Sequence, residues 1–362
     1  MTQWPQFVKD EIDRGASPAA GALQPLVGCY GDAAAEWNAL VGGPALVDRS
    51  YRGLIELTGV DRLSWLHNLT TNEVKNLSPG EGNYSFAVNI KGRILFDLVI
   101  LVREEAVWLD LDSRFLPGAL AHFEKYKITE DVVIADRTQA YARFALVGES
   151  AKKTFAELGA SNVGVMPRFS TAQIELDGAG CWVFRTDFCG SFAVELLVPL
   201  DSAVGTWQSL CDAGGTCRAV AVGDDAVQLR RIEAGVPWPG LEITDEYLPA
   251  ETGQYERAVS RTKGCYLGQE IVERMRSRDV VARRLVGIRL DGDSVPATPA
   301  GLELESGEVV GQLTSARTSV GVEGCVGLGY VKAKASSART ALRVAGADPS
   351  VCGRIVDLPF AS

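Results

Sequence analysis

The run Lys263-Gly264-Cys265-Tyr266-Leu267-Gly268-Gln269-Glu270 sets one cysteine among glycines, just ahead of a stretch rich in helix formers. Gln269 through Met275 reads as helix, which puts Cys265 near the positive end of a helix dipole and two residues from Lys263. Both effects favour the thiolate, the reactive form of a cysteine. The wider charge has the same sign. Between Arg257 and Arg289 nine Lys/Arg residues stand against three acids, in a chain whose net charge is −10. A free cysteine is ordinarily a small buried hydrophobe. Such a residue usually sits in an apolar run, whereas this one has glycines, basic side chains and the Gln269-Glu270 pair about it. On these grounds a reactive thiol and a packing cysteine are both open.

Working outward, ordered blocks surround the run. Upstream lie Val47-Asp48-Arg49-Ser50, Leu57-Thr58-Gly59-Val60-Asp61, Thr70-Thr71-Asn72-Glu73-Val74, Gly82-Asn83-Tyr84 and Asn89-Ile90-Lys91-Gly92-Arg93-Ile94-Leu95-Phe96-Asp97. Arg231-Ile232-Glu233-Ala234-Gly235-Val236-Pro237 follows, and downstream of the run comes Gly311-Gln312-Leu313-Thr314-Ser315. The K-G-C-Y-x-G-Q-E run resembles the signature of the YgfZ-type folate-binding proteins, relatives of the glycine cleavage T-protein (GcvT, aminomethyltransferase). The other blocks resemble those of the T-protein family in the same order. The chain departs from the pattern at Asp279, where the family usually has a glycine.

Composition frames this resemblance. At 362 residues and 46% hydrophobic content the chain can bury a large core, and its length suggests two or three domains. No stretch approaches the roughly 18 apolar residues of a membrane helix, and no secretory signal pattern is evident, so a cytoplasmic protein is expected. Eight dispersed cysteines without a C-x-x-C pair predict reduced thiols rather than a disulfide framework. Two histidines, His67 and His122, lie in no metal or triad motif; no metal site is expected and both read as structural or surface residues. A sequence pI near 5.0 argues against nucleic-acid binding. The exception is the basic stretch at Arg274, Arg276, Arg278, Arg283 and Arg284, which reads as a solvated helix face or as a patch for an anionic ligand or acidic partner.

Residues 1–45 read as an amino-terminal arm, loosely packed, with a short helix over 33–40. Residues 46–139 form a first α/β region. There, 54–58 alternates as a strand, Asp61 N-caps a helix to about Leu69, and 85–88 and 93–102 pair about Lys91-Gly92. Residues 140–282 form a second α/β region with strands at 140–147, 181–185 and 192–198 and helices at 150–158 and 202–213. From 283 to 362, short alternating segments at 284–290, 302–304, 309–313 and 326–331 predict a small antiparallel barrel. The resemblance implies an α+β fold with three domains in a ring around a central folate cavity, the last domain being the barrel.

The donor-rich pterin edge of a folate needs a fixed acceptor carboxylate among apolar walls. Glu195 lies in Phe192-Ala193-Val194-Glu195-Leu196-Leu197, where a lone carboxylate is costly to bury unless it is bound to something. By position in the family, Glu195 faces the pterin, and Asp97 closes the G-R-I-x-x-D block as a second site acid. Tyr84 and Asn89 are candidate pocket residues, with packing and turn formation as their ordinary roles. Arg231 is either a ligand contact or, with Glu233, a structural ion pair. Tetrahydrofolate or a one-carbon derivative is the implied cofactor. Two functions remain open. In the first, Cys265, assisted by Lys263, supports iron–sulfur cluster assembly or repair, with client enzymes or assembly factors as partners. In the second, the chain is a folate-dependent aminomethyltransferase in which Asp97 activates the substrate amine.

Overall fold

The computed structural model describes residues 11, 16–18, 26–212, 218–277, 281–321, 324–346 and 351–360. Most of the predicted arm, Arg278, Asp279 and the end of the 202–213 helix lie outside these residues. The chain divides into two compact units: Met1–His67 with Glu73–Tyr84 and Leu98–Val227, and Asn68–Asn72 with Ser85–Asp97 and Gln228–Ser362. The chain passes between them in strands Gly82–Val88 and Ile94–Val102.

The first unit holds a six-stranded sheet in the order Thr171–Leu176, Ala179–Thr186, Ala193–Pro199, Tyr141–Val147, Ala45–Asp48, Val220–Val222, in which only the last pairing is parallel. Alternation decides what each face carries. Val194, Leu196 and Val198 join Phe144, Leu146, Phe155 and Trp207 in a core under helices Ala151–Glu157 and Ala203–Asp212. A five-stranded sheet runs in the order Gly82–Val88, Ile94–Val102, Val107–Asp112, Arg52–Thr58, Val133–Asp136. Trp108 of this sheet meets Trp182 edge-on at 5.4 Å and Tyr141 at 5.7 Å. Arg103 is held between the rings of Trp108 and Trp182, 3.9 Å from each. The two sheets thereby meet face to face at these side chains, and strands Val107–Asp112 and Ala193–Pro199 are buried on both sides.

The segments read from sequence recur with small shifts at their ends. The helix begun near Asp61 is shorter than expected, Arg62–His67, and the Asp61 carboxylate accepts the Asp131 N–H at 2.9 Å. Three strands of the six-stranded sheet, Ala45–Asp48, Thr171–Leu176 and Val220–Val222, were not legible in advance.

In the second unit, strands Arg283–Leu290, Cys325–Lys332, Val309–Thr318, Ala300–Glu303, Ala341–Val344 and Cys352–Val356 close into an antiparallel barrel, since the first also pairs with the last. Its interior is filled by Ile288, Leu302, Leu313, Cys325 and Ile355. Helix Gln269–Ser277 lies beyond the thiol run, as the sequence predicts. The turn ahead of it depends on Gly268, whose φ is +78°. A Cβ there would collide with the carbonyl oxygen of Asn89, at the tip of the 89–92 turn. No helix among the described residues is long and apolar enough to cross a membrane. Gly268→Ala is expected to lower the unfolding free energy by about 1–3 kcal/mol through backbone strain alone, read as a fall in the urea midpoint at unchanged slope.

Candidate functional site

The charged residues of the first unit lie between its two sheets. Glu195 takes the face of its strand opposite the helix-packed core, beside Phe184 and Ala145, and is 1% exposed. Its Oε1 accepts from Nε of Arg49 at 2.8 Å and lies 2.8 Å from Nη2 of the same guanidinium. Its Oε2 receives no hydrogen bond; Nη2 of Arg143 lies 3.7 Å away, beyond hydrogen-bond reach. That Nη2 donates instead to Oδ1 of Asp110 at 2.5 Å, while Arg52 donates to Oδ2 from Nη2 at 2.5 Å and from Nε at 3.1 Å. Nε and Nη1 of Arg143 have no acceptor. Phe188 lies over the Arg49 guanidinium, its ring centre 3.6 Å away, and Arg49 also donates to the Tyr51 hydroxyl.

Three guanidinium groups and two carboxylates are therefore held together out of water. Such a layer persists because each charge has a partner, and one left alone costs several kcal/mol. Burial pushes the Asp110 carboxyl up, but Arg52 and Arg143 outweigh it and hold the group below the usual carboxylate range. Sequence reasoning singled out Glu195 and missed Arg49, Arg143 and Asp110. The signal was available: Arg143 in Tyr-Ala-Arg-Phe-Ala-Leu-Val and Asp110 in Val-Trp-Leu-Asp-Leu are, like Glu195, charges set in apolar strands. Tyr84, also in this unit, stacks on Phe169 with ring centres 6.4 Å apart. Phe169 has a φ of +65°, a rare conformation for an aromatic residue.

In the second unit the thiol run is tied to the Thr70-Thr71-Asn72 block. Lys263 is buried, and its Nζ donates to the carbonyl oxygens of Thr70 at 2.5 Å and Asn72 at 2.7 Å, 5.0 Å from the centre of the Tyr266 ring. The Leu267 N–H reaches the Asn68 carbonyl, the Thr71 hydroxyl reaches the Ala258 carbonyl, and Nδ2 of Asn72 reaches the Arg257 carbonyl. Cys265 is exposed and lies four residues before the helix begins. Lys263 thus directs its ammonium into backbone carbonyls.

Asn89 forms the turn at the hairpin tip, its Oδ1 accepting the N–H groups of Lys91 at 2.8 Å and Arg93 at 3.2 Å. Asp97 is buried at the second-unit end of its strand. Arg231 has an unforeseen partner in Glu242, at 2.8 Å, and donates to Ser315 at 2.6 Å. Glu242 is fully buried and also accepts from Thr314, Ser315 and the Trp238 N–H. The Arg231 and Gly311–Ser315 blocks thus meet in one network that fastens helix Asp224–Glu233 to the barrel strand, while Glu233 accepts from Ser319. His67 is structural, its Nδ1 lying 3.3 Å from the N–H groups of Val74 and Lys75. The described residues include no cluster of metal-ligating side chains, and their seven cysteines are free thiols.

Residues 29–263 match the GCVT N-terminal domain, and residues 283–361 match the glycine cleavage T-protein C-terminal barrel domain. The chain belongs to the GcvT family. Among GcvT-family relatives, an aminomethyltransferase of Rubrobacter xylanophilus is 27% identical over 91% of this chain and 87% of its own. The aminomethyltransferase of Bacillus subtilis is 26% identical over 90% of each chain. A chloroplastic protein of Arabidopsis thaliana, named as a candidate transferase, is 28% identical over 89% of this chain and 72% of its own. The crystal structure of the glycine cleavage system aminomethyltransferase T from Bartonella henselae superposes with a TM-score of 0.87 at 21% identity, covering 99% of this chain and 97% of that one. That likeness establishes a shared GcvT-like fold of mixed α/β domains and a terminal barrel.

Because Asp110 is depressed in the folded state, its contribution to stability is present above its unfolded value near 3.9 and is lost as pH falls through the folded value. Asp110→Asn is expected to cost about 3–5 kcal/mol at pH 7 by leaving Arg52 and Arg143 uncompensated. The variant is also expected to lose less further stability than wild type between pH 5 and pH 3. Denaturant titration at both pH values measures the two effects.

Proposed function

We propose that this GcvT-family chain binds tetrahydrofolate or a one-carbon derivative and uses Cys265 to support assembly or repair of iron–sulfur clusters in client enzymes. The observation that carries the binding half is the buried Oε2 of Glu195, an acceptor that receives no hydrogen bond. A desolvated carboxylate oxygen without a donor is costly, and a pterin edge, rich in N–H groups, supplies what it lacks. Bound reduced folate offers ring nitrogens that carry a one-carbon unit. Glu195 orients that ring system, and Arg49 fixes the carboxylate by holding its other oxygen. Tyr84, in the same unit as Glu195, is a further ligand-side residue of this reading.

The thiol half is supported by the way the run is anchored. Lys263, Tyr266 and Gly268 are committed to the fold, while Cys265 faces solvent. A side chain presented on a braced segment suits a role outside the core, and the resemblance to the YgfZ type gives that role its direction. The second reading, aminomethyl transfer with Asp97 activating the substrate amine, is favoured by the names of the bacterial relatives.

Glu195→Ala is expected to weaken tetrahydrofolate binding roughly tenfold or more, the scale of a lost hydrogen bond to a charged group, with the far-ultraviolet circular dichroism unchanged; equal affinity in a fluorescence titration removes Glu195 from the site. In a strain lacking the gene, wild type is expected to restore the activity of iron–sulfur enzymes and Cys265→Ser is not. If both restore it equally, and aminomethyl transfer to tetrahydrofolate depends on Asp97, the transferase reading takes its place.

A further inference from the structure

The hairpin joining strands Ile94–Val102 and Val107–Asp112 borders a cavity of about 480 Å³. Thr58, Gly80, Ala106, Thr171 and Trp182 line it, and Arg103 supplies a cation at its wall. All of these residues lie in the first unit, and none belongs to the buried charged layer around Glu195. A volume of this size is that of a small-molecule pocket.

Arg103 is held by rings rather than by hydrogen bonds. Trp108 and Trp182 clasp its guanidinium, 3.9 Å from each ring centre, and its Nε has no acceptor. Its ion-pair partner, Glu56, is already engaged: Oε2 accepts from Nε1 of Trp108 at 3.0 Å and Oε1 from Nε of Arg137 at 2.9 Å. Nη1 of Arg103 is left 3.8 Å from Glu56, outside hydrogen-bond reach. Burial pulls the guanidinium below its usual pKa, the mark of a cation short of compensation. The side chain keeps 24% of its surface exposed, so a ligand can reach it. A guanidinium fixed in position with donors uncommitted is a prepared seat for a carboxylate. The surroundings narrow the choice. Glu56, Glu104 and Glu105 also border the cavity, so a dianion such as phosphate is repelled and a single negative charge is matched to the single cation. Val102, Ala106 and the Trp182 indole offer apolar surface to the rest of the ligand, and an aromatic body gains most from the indole.

We infer that this cavity binds a small aromatic carboxylate, its charge on Arg103 and its ring beside Trp182, at a site separate from the one assigned to folate. The test titrates 4-fluorobenzoate and its neutral counterpart 4-fluorobenzamide onto wild type and Arg103→Gln, following fluorine NMR line widths. Wild type is expected to bind the benzoate roughly tenfold or more tighter than the amide, the scale of a hydrogen bond to a charged group, and Arg103→Gln is expected to bring the two within about threefold. A preference that survives in Arg103→Gln, or that wild type lacks, overturns the role of Arg103. Tetrahydrofolate at saturation is expected to leave the bound benzoate in place; displacement overturns a separate site and leaves folate binding standing. Should Arg103→Gln fold poorly, wild type carrying 15N at its tryptophan indoles supplies the second readout, with Trp182→Phe identifying the Trp182 signal. A shift of that signal on adding 4-fluorobenzoate supports the cavity, and probe binding that leaves it unmoved overturns it. Absence of 4-fluorobenzoate binding up to its solubility limit overturns the proposal as well.

Discussion

The structure of the first unit is organised by a requirement to keep five charged groups paired away from water. Arg49, Arg52, Arg143, Asp110 and Glu195 come from four strands and one strand-following turn, and each is placed by the alternation of an otherwise apolar segment. Two sheets stacked face to face need apolar surfaces, and the tryptophan pair with Arg103 between its rings supplies much of that adhesion. The charges cut into it. Replacing such a layer by hydrophobic residues is commonly neutral or stabilising, so stability alone does not account for it.

The second unit uses the same economy for a different end. Arg231, Glu242, Thr314 and Ser315 form a network in which every carboxylate oxygen of Glu242 has a donor, which fits a brace rather than a ligand site. Around Cys265 the polar groups are also used up, by backbone carbonyls that capture the Lys263 ammonium and by a glycine whose conformation lets the 89–92 turn close against it. Satisfied networks hold position, and the groups left over are the candidates for chemistry. By that criterion the candidates are Glu195, with one oxygen undonated, and the exposed thiol of Cys265.

Much of this was legible in the linear chain. Lone charges in apolar strands carry a physical signature, and Glu195, placed by position in the family, also bears it; Arg143 and Asp110 bear the same signature but lie in none of the family blocks. The barrel was legible from evenly spaced alternating segments, and its last two strands were not, since Ala341–Val344 and Cys352–Val356 are too short to show a period. Ala45–Asp48 and Val220–Val222 are likewise brief, and their strand character comes from the neighbours they pair with. The pairing of Arg231 followed the same rule: Glu233 is near in sequence, but residues two apart on a helix do not face each other, and Glu242 is brought in by the turn that follows.

What the sequence determined by itself was the set of elements, the order of the family blocks, the closing barrel and the residue types able to bind or react, because periodicity and local turn chemistry are properties of neighbouring residues. Only the tertiary structure decided which charges meet. It set Arg49 against one oxygen of Glu195 and left the other open, turned the Lys263 ammonium into Thr70 and Asn72, and left Cys265 outside. Those outcomes depend on contacts between residues far apart in the chain, up to 193 positions for Lys263 and Thr70, whose energies no local pattern encodes.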